Sequence, residues 1–276
     1  MDSLATLNES TIRLGAFLGI FLAMALLEIA APRRRQTASK RKRWITNLLI
    51  GGTGALLIRL MALLAVPLVA VAAALWAERS GWGLLNRTDW PGWVEMLLAL
   101  LLLDLAIYGQ HVASHKVPLF WRLHKVHHTD VDFDVTTAVR FHPVEIALSM
   151  LWKIVVVIAI GASAWAVVLF EIALNGCAMF NHANISMPAW LDRTIRLFIV
   201  TPDMHRVHHS VYRDEHDTNF GFNLSVWDRL FRTYTPQPRD GHAGMTIGLT
   251  KYLGENPTRF LWSLRLPFMP TGGKRD

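Results

Sequence analysis

Cysteine is almost absent from this sequence. The 276 residues contain a single one, Cys177, and it lies within an apolar run. One cysteine cannot form an intramolecular disulfide, and it cannot build a zinc or iron–sulfur site from thiolates. We therefore interpret Cys177 as a small buried hydrophobic residue.

Charged residues are also scarce. They make up 18% of the chain, against about 25% in an average globular protein. Hydrophobic residues make up 52%, and the mean hydropathy is +0.29. This balance disfavours both a disordered chain and a purely soluble fold, and it favours a membrane protein built from helices.

The charge that is present is concentrated. The net charge is +7 and the isoelectric point about 9.9. Seven basic residues follow one another without an acidic residue between them: Arg33, Arg34, Arg35, Lys40, Arg41, Lys42 and Arg43. They equal the whole net charge, so the rest of the chain is neutral. A short basic run between two apolar segments is typical of a cytoplasmic loop that touches an anionic membrane surface, and we expect no nucleic-acid partner.

Four apolar segments predict the membrane helices. They cover residues 12–31, 44–76, 94–108 and 144–175. About 20 residues are enough to cross a bilayer, so the last segment is long enough for a tight re-entrant hairpin that turns near residues 161–163. We predict an all-α fold of four to six transmembrane or re-entrant helices with a histidine-rich cytosolic cap.

Two of these segments carry further signals. The first follows Asp2 and Glu9 rather than a basic stretch, so we expect it to remain as an anchor and not to be cleaved. The second is long enough to tilt or to be broken by a helix breaker. Its candidate breakers are Gly51, Gly52, Gly54 and Pro67.

The number of spans predicts the topology. If the basic loop at 32–44 is cytoplasmic, the next loop lies on the far side and the third span returns to the cytoplasm. A hairpin would then leave and come back, which places residues 110–143 and 182–276 on the cytoplasmic side as well. All histidine-rich segments should therefore meet on one face of the membrane.

Nine of the twelve histidines have the spacing of metal ligands. They form HxxxH, HxxHH, a single histidine in FNHAN, and a second HxxHH: His111 and His115; His124, His127 and His128; His182; and His205, His208 and His209. Residues three and four apart share a helix face, so His111 and His115 can aim at one point, and in each HxxHH the first histidine faces both of the others. Because one metal ion rarely takes more than six ligands, nine histidines predict two metals. Ligation by imidazole alone suits Zn, Cu, Fe or Ni rather than Mg or Ca.

A helical stripe leads from the third apolar segment to the first histidines. Asp104, Tyr108, His111 and His115 are spaced by 4, 3 and 4 residues. A carboxylate at this depth is costly unless it is paired. Asp104 could accept a hydrogen bond from a ligating imidazole, or it could pair with Arg59 or a lysine.

The remaining three histidines lie outside these four groups. His142, in RFHPVE, could be a ligand or could support one. His216 and His242 have no histidine three or four residues away, so we expect neither to bind metal.

At these residues the chain resembles the fatty acid hydroxylase superfamily, which includes sterol desaturases, sterol methyl oxidases and alkylglycerol monooxygenase. The resemblance extends over residues 104–234. Its motifs are HVASH at 111–115, LHKVHHTD at 123–130, RFHPVEI at 140–146, FNHANI at 180–185, TPDMHRVHHS at 201–210 and DTNFGFNLSVWDRLFRTY at 217–234. Each HxxHH alone is a weak signal, but together the motifs are specific.

The resemblance implies a membrane-bound non-haem di-iron oxidoreductase that uses O2 to hydroxylate or desaturate a lipid, either a sterol, a fatty acyl chain or an ether lipid. It implies that the nine histidines are the ligands and that no other residue is catalytic. Two iron ions, replaceable by zinc, would be the cofactor and O2 the co-substrate. Asp217 and Asn219, in the last motif, would support the ligands. The length leaves no room for a fused cytochrome b5 domain, so we expect a separate electron donor, either a protein or a small reductant.

One position departs from part of this family. Members of the fatty acid 2-hydroxylase branch carry a histidine four residues before the equivalent of His182, where this chain has Ala178. The chain therefore stands nearer the sterol desaturase and alkylglycerol monooxygenase branches. It also leaves open whether His142 or water completes the ligand set.

The alternative is a membrane metal-binding protein or transporter without oxidative catalysis. A transporter places its ligands near the middle of the bilayer, whereas these histidines follow the ends of the apolar segments. We divide the chain into N-terminal membrane helices with the basic loop (1–93), a catalytic domain (94–235) and a cytosolic tail (236–276) in which residues 257–270 could lie flat on the membrane.

Overall fold

The computed structural model describes residues 3–64 and 69–270, which are almost entirely helices and loops. The longer helices are α1 (Ser3–Ala30), α2 (Lys40–Leu64), α3 (Ala70–Ser80), α4 (Gly92–Lys116), α5 (Pro118–His128), α6 (Pro143–Ile160) and α7 (Ala164–Asn181). The shorter ones are α8 (Ala189–Ile195), α9 (Pro202–His208), α10 (Arg213–His216), α11 (Val226–Leu230), α12 (Gly241–Gly244) and α13 (Phe260–Arg265). In the described residues, β-structure is limited to three isolated bridges.

Among the described residues, five helices are long and apolar enough to cross a membrane, namely α1, α2, α4, α6 and α7. The prediction of four to six membrane helices is therefore confirmed. The predicted hairpin is confirmed too. Helix α6 ends at Gly161, whose φ of +70° reverses the chain, and α7 begins after Ser163, whose side chain accepts a hydrogen bond from the amide of Ala166. Gly161 suits this turn because a left-handed backbone is costly for other residues.

The second apolar segment forms two helices, α2 and α3. Its glycines do not break α2. A Cβ atom at Gly51 would lie 3.0 Å from Val139, and one at Gly54 would lie 3.4 Å from Ile146. These glycines therefore let neighbouring segments approach α2 closely. The candidate break at Pro67 lies outside the described residues.

The membrane core forms where α3, α4, α6 and α7 pack together. Helix α3 contributes a stripe of buried alanines, and small residues allow helices in a bilayer to pack closely. The stripe is Ala70, Ala73, Ala74 and Ala77. Helix α1 packs mainly on α7, and α2 on α6. The first half of the chain thus frames the helices that end at the histidines.

The remaining helices form a cap at one end of the bundle. The expected membrane-surface segment near the C-terminus contains α13, which packs against α2. Ser263 and Leu266 are buried there, while Leu261 and Phe268 are exposed. The boundaries proposed at residues 93 and 235 stay predictions.

Candidate metal centre

Four helices deliver the histidines. His111 and His115 lie in the last two turns of α4, and α5 follows after one residue, with Pro118 at its first position, where proline is well tolerated. His182 caps the C-terminus of α7. Helix α9 begins at Thr201, whose side chain accepts a hydrogen bond from the amide of Met204, and it carries the second HxxHH.

The nine histidines form two adjoining clusters, and all of them are buried. Within each cluster the candidate ligand atoms lie within 4.8 Å of one another. Cluster 1 contains His111, His115, His124, His128 and His208. Cluster 2 contains His127, His182, His205 and His209. The predicted convergence of the histidine groups is therefore confirmed, while the side of the membrane on which they meet stays a prediction.

Each HxxHH motif is divided between the clusters, although its first histidine was expected to face both of the others. On α5, His124 and His128 enter cluster 1 while His127 enters cluster 2. On α9 the i, i+4 pair goes to cluster 2 and His208 goes to cluster 1. The reason is that neighbouring residues on a helix point about 100° apart, so a pair four apart shares one cluster and the third histidine reaches the other. Each HxxHH motif thereby contributes histidines to both clusters.

Contacts behind the rings orient them. The Nδ1 atoms of His111, His182 and His208 lie 2.6–2.7 Å from backbone carbonyl oxygens, those of Phe220, Ala178 and Thr218 respectively. A carbonyl can only accept, so each Nδ1 carries the hydrogen and leaves Nε2 with a free lone pair. This is the usual support of a metal-ligating imidazole.

One carboxylate plays the same part at His124, and a second lies near His115 without a hydrogen bond to it. Glu145 Oε1 lies 2.6 Å from His124 Nδ1, and Asp217 Oδ1 lies 3.4 Å from His115 Nδ1. Glu145 belongs to the RFHPVE motif, but sequence reasoning singled out His142 there and missed it. The signal was available, because a carboxylate near a histidine-rich segment is a natural partner for an imidazole N–H.

The nitrogen atoms that point inward fit a metal site. All five Nε2 atoms of cluster 1 are buried without a hydrogen-bond partner in the protein. A buried polar atom left unpaired costs about 1–3 kcal/mol, so five together indicate that a bound group satisfies them. In cluster 2, His182 Nε2 lies 3.1 Å from the Nε2 atoms of both His127 and His205. Two nitrogens that each lie about 2.1 Å from one ion would be about 3 Å apart, so this donor set also fits.

Six of the cluster histidines have lowered pKa values, which favours the neutral form that a metal ligand needs. Burial lowers the pKa of His127, His128 and His205 well below the ordinary value, and the neighbouring imidazoles lower it further. The pKa values of His208 and His209 are lowered for the same reasons. Burial lowers the pKa of His182 to about 4.

The other candidate residues lie outside the clusters. His142 caps the start of α6, with Nε2 3.2 Å from the carbonyl oxygen of Leu264. Asn219 donates to the carbonyl oxygens of Met204 and Thr235, which ties the start of α9 to the chain beyond α11. His142 touches no cluster nitrogen in the described structure, whereas the backbone of Asn219 hydrogen-bonds the imidazole of His205. Ala178 contributes its carbonyl to His182 instead of a side chain.

Asp104 has a different partner from either expected one. Trp227 Nε1 donates to its carboxylate at 2.7 Å, and the amide of Leu224 donates at 3.2 Å. The expected imidazole and Arg59 are not its hydrogen-bond partners in the described residues. Asp104 thus fixes the cap to the middle of α4.

The two histidines expected not to bind metal lie outside both clusters. His216 stacks on Trp121 with ring centroids 5.6 Å apart, and its Nδ1 lies 3.2 Å from the carbonyl oxygen of Ser210. His242 Nε2 lies 3.5 Å from Asp203. His216 is nonetheless close to the site, since its ring centroid is 6.1 Å from that of His115.

Two arginines of the basic run brace the cap through ion pairs. Arg43 is fully buried, forms a bidentate pair with Asp130 at 2.6 and 2.8 Å, and contacts Asp134 at 2.6 Å. The guanidinium holds the pKa of Asp130 at about 2. Arg33 similarly pairs with Asp203 on α9. These two cations are tied to the cap, whereas four others of the run are exposed: Arg35, Lys40, Arg41 and Lys42.

These features define a class: a multi-spanning helical membrane protein whose cap holds two all-histidine clusters suited to metal ions. The fatty acid hydroxylase family model matches residues 96–233, which is half of the chain and contains all nine histidines. The chain belongs to this fatty acid hydroxylase family.

Two relatives illustrate the range of similarity. The chain is 29% identical over 188 residues to the ornithine lipid hydroxylase OlsE of Rhizobium tropici, a match of 67% of this chain and 54% of that protein. It is 28% identical over 164 residues to the alkylglycerol monooxygenase of Xenopus tropicalis, a match of 58% of this chain and 34% of that protein. The chain thus aligns with about half or less of the length of these relatives. No solved structure is significantly similar to it.

Proposed function

We propose that this protein is a membrane-bound non-haem di-iron enzyme that uses O2 to hydroxylate or desaturate a lipid, with hydroxylation favoured. One observation carries the proposal: two clusters of buried histidines share α5 and α9 at the end of a membrane-spanning bundle. The names of the two relatives, a lipid hydroxylase and an alkylglycerol monooxygenase, support the reaction class.

Iron is the proposed metal. Imidazole ligands suit several transition metals, and iron(II) lies below zinc in the usual order of affinity. Zinc is therefore expected to replace iron when the protein is overproduced. Asp217 and Glu145 are proposed to hold ligand rings in place, with their carboxylates behind His115 and His124.

When bound, the two irons would supply O2 activation and oxidation of a substrate C–H bond. The chain's own residues orient the ligands and shield the site. The ring of Phe141 stacks on His127 at 4.2 Å, and Phe222 lies against His111 at 4.9 Å. Such a wall lowers the local dielectric and keeps water from competing with an apolar substrate. The remaining task of the protein is to position the lipid against the site.

The active site is proposed to lie on the cytoplasmic side, where the exposed cations of the basic loop would meet anionic lipid. Electrons are proposed to come from a separate donor. The side can be tested with single cysteines at positions in 115–130 and in 205–216 and a membrane-impermeant thiol reagent added to intact cells. Both should react only after the cells are opened. Reaction from opposite sides would contradict a shared site.

The reaction is tested with isotopically labelled oxygen. Purified protein with iron, a reductant and a membrane lipid extract should consume O2 and place an atom from ¹⁸O2 in a lipid alcohol, or remove two hydrogens from a lipid. If product forms equally well without O2, with oxygen drawn from water, the site is a hydrolase. If the protein binds metal but no lipid changes, the alternative of a metal-binding protein or transporter is favoured.

A further inference from the structure

The cap contains exposed apolar side chains on two segments that are distant in sequence but paired through their backbones. Residues 197–200 and 223–225 run antiparallel, with a bridge between Ile199 and Leu224. The amide of Ser225 donates to the carbonyl of Phe198 at 3.0 Å, and that of Val200 donates to the carbonyl of Asn223 at 2.9 Å. These bonds hold the loop before α9 and the start of α11 together as one unit.

Large apolar side chains of this unit are exposed by 37–68%. We refer to them as the cap apolar face, which consists of Leu197, Phe198, Ile199, Val226, Leu230 and Phe231. Single exposed apolar residues are ordinary, but a contiguous group rimmed by polar residues marks an interaction surface. The face lies in residues 182–276, which were expected on the cytoplasmic side.

The position of this face along α4 identifies what covers it. Trp227 of α11 donates to Asp104, and the ring of Phe231 stacks on Tyr108 at a centroid distance of 5.3 Å. Asp104 is twelve residues from either end of α4, which is a candidate membrane span. It lies seven residues before His111, or about 10 Å further along the helix axis at 1.5 Å per residue. Helix α11 therefore packs beside the membrane-spanning part of α4 and not beyond its end.

The edges of the face carry cations. Arg193 and Arg232 are exposed on the flanking segments. Basic side chains at the border of an apolar surface extend toward lipid phosphates while their stems stay in the apolar layer. An apolar face that adjoins a spanning helix and has a basic border matches a lipid surface, whereas a soluble partner would have to reach past the membrane edge of α4.

Aromatic rings connect this face to the histidines. Phe231 contacts Tyr108, and the rings of Tyr108 and Phe220 lie 6.4 Å apart. Phe220 is fully buried, and its ring is 5.1 Å from that of His115. The apolar layer at the surface is thus continuous with the wall of cluster 1.

We propose that the cap apolar face is inserted into the bilayer beside α4, in contact with lipid acyl chains, and that lipid reaches the metal centre from this side. The first part stands on the contacts above. The second part, the direction of entry, rests on the proposed function. Inserting the face would place the reactive centre at the edge of the acyl layer, so that a substrate need not leave the membrane completely.

Insertion can be measured without any activity. In a Cys177→Ala background, spin labels are attached to Phe198→Cys or Leu230→Cys and the protein is placed in lipid nanodiscs. Leu22→Cys on α1 provides a lipid-facing control and Asp214→Cys on α10 a water-facing one, since these side chains are exposed. Labels at 198 and 230 should collide with O2 and be shielded from a water-soluble nickel chelate, like the label at 22.

Two results would overturn insertion. Labels at 198 and 230 that meet the nickel chelate as readily as the label at 214 would place the face in water. Labels that are shielded from both reagents and give a short distance between two copies by pulsed dipolar spectroscopy would show that a second copy of the chain covers the face.

Entry is tested by kinetics on lipid supplied in nanodiscs. Leu230→Asp should raise KM for the lipid several-fold while kcat and metal content are retained. Leu230→Met keeps an apolar side chain and should have the same KM as the unaltered protein. Leu253→Asp, at an exposed apolar residue outside the face, is the matched control and should leave KM unchanged. If KM does not change although the labels show insertion, the entry route is wrong. If the unaltered protein oxidises no lipid, the proposed function fails, while the labelling result stands by itself.

Discussion

At the scale of single residues, the histidines are distinguished by the cluster to which they belong. His208 is in cluster 1 and His127 in cluster 2. We expect His208→Ala and His127→Ala each to lose metal and to abolish activity, because each removes a buried imidazole from a candidate metal cluster. His242→Ala is the control and should keep both metals, since its nearest charged partner is Asp203 and not a cluster nitrogen. The measurement is metal content by mass spectrometry of the purified variants.

Loss of metal in His242→Ala with retention in His127→Ala would show that cluster 2 has been assigned wrongly. Equal retention in all three variants would mean that the clusters are not metal sites.

Glu145 tests the support behind a ligand. Its carboxylate contacts His124 Nδ1 at 2.6 Å. Glu145→Gln keeps the shape of the side chain but weakens its hold on the imidazole N–H, and changes of this kind lower metal affinity by about 10–100-fold. We expect that loss in competition titrations with a metal chelator. Glu95→Gln, far away in the first turn of α4, should behave like the unaltered protein. An unchanged affinity in Glu145→Gln would remove Glu145 from the site.

At the scale of elements, the brace between the start of α2 and the loop after α5 is expected to stabilise the fold. Arg43 and Asp130 are both buried. Arg43→Met leaves two carboxylates without their cation, and breaking a buried ion pair in this way costs about 3–5 kcal/mol. We predict a large fall in the thermal unfolding temperature in detergent. Lys42→Met, at a neighbouring exposed cation, should change it little, and equal effects of the two substitutions would contradict the brace.

Sequence patterns predicted the elements well where one physical rule dominated. Apolar length predicted the spans, and the glycine and serine near residue 161 predicted the hairpin between α6 and α7. The i, i+4 spacing predicted that the histidines converge. Spacing could not show that HxxHH is shared between two clusters, because this depends on how α5 and α9 face each other. Likewise, the basic run does not reveal that Arg43 turns inward, since its partner Asp130 is 87 residues away.

The sequence also did not show how far along α4 the last part of the chain lies. Residues 182–276 have the polar composition of a cytosolic segment, yet α11 lies beside the middle of α4 through the contact between Trp227 and Asp104. The stripe from Asp104 to His115 did indicate a functional face of α4. The partner of Asp104 could not be read from it, because that partner comes from a different part of the chain.

At the scale of the whole molecule, the buried neutral histidines make the metal-free protein sensitive to acid. The pKa of His182 is lowered to about 4 in the folded protein, against about 6.5 in an unfolded chain. The unfolded state therefore binds more protons below pH of about 6.5, and stability falls as the pH drops from there through about 4. Thermal unfolding of metal-free protein should show a decreasing midpoint over this range.

The aspartates that pair with Arg43 and Arg33 have lower pKa values in the folded protein than His182 does. Asp130 and Asp203 have pKa values of about 2 in the folded protein, so their contribution is lost only below the histidine range. A midpoint that stays constant or rises between about pH 6.5 and about pH 4 would contradict the assignment of neutral, buried imidazoles.

Each chain is expected to hold two metal ions, one in each cluster. The decisive measurement is the metal content of protein purified in detergent without chelators from cells supplied with iron, taken together with an accurate protein concentration. We predict about two transition-metal ions per chain, as iron or as iron with zinc. A content of zero or one, unchanged when iron and a reductant are added back, would contradict it.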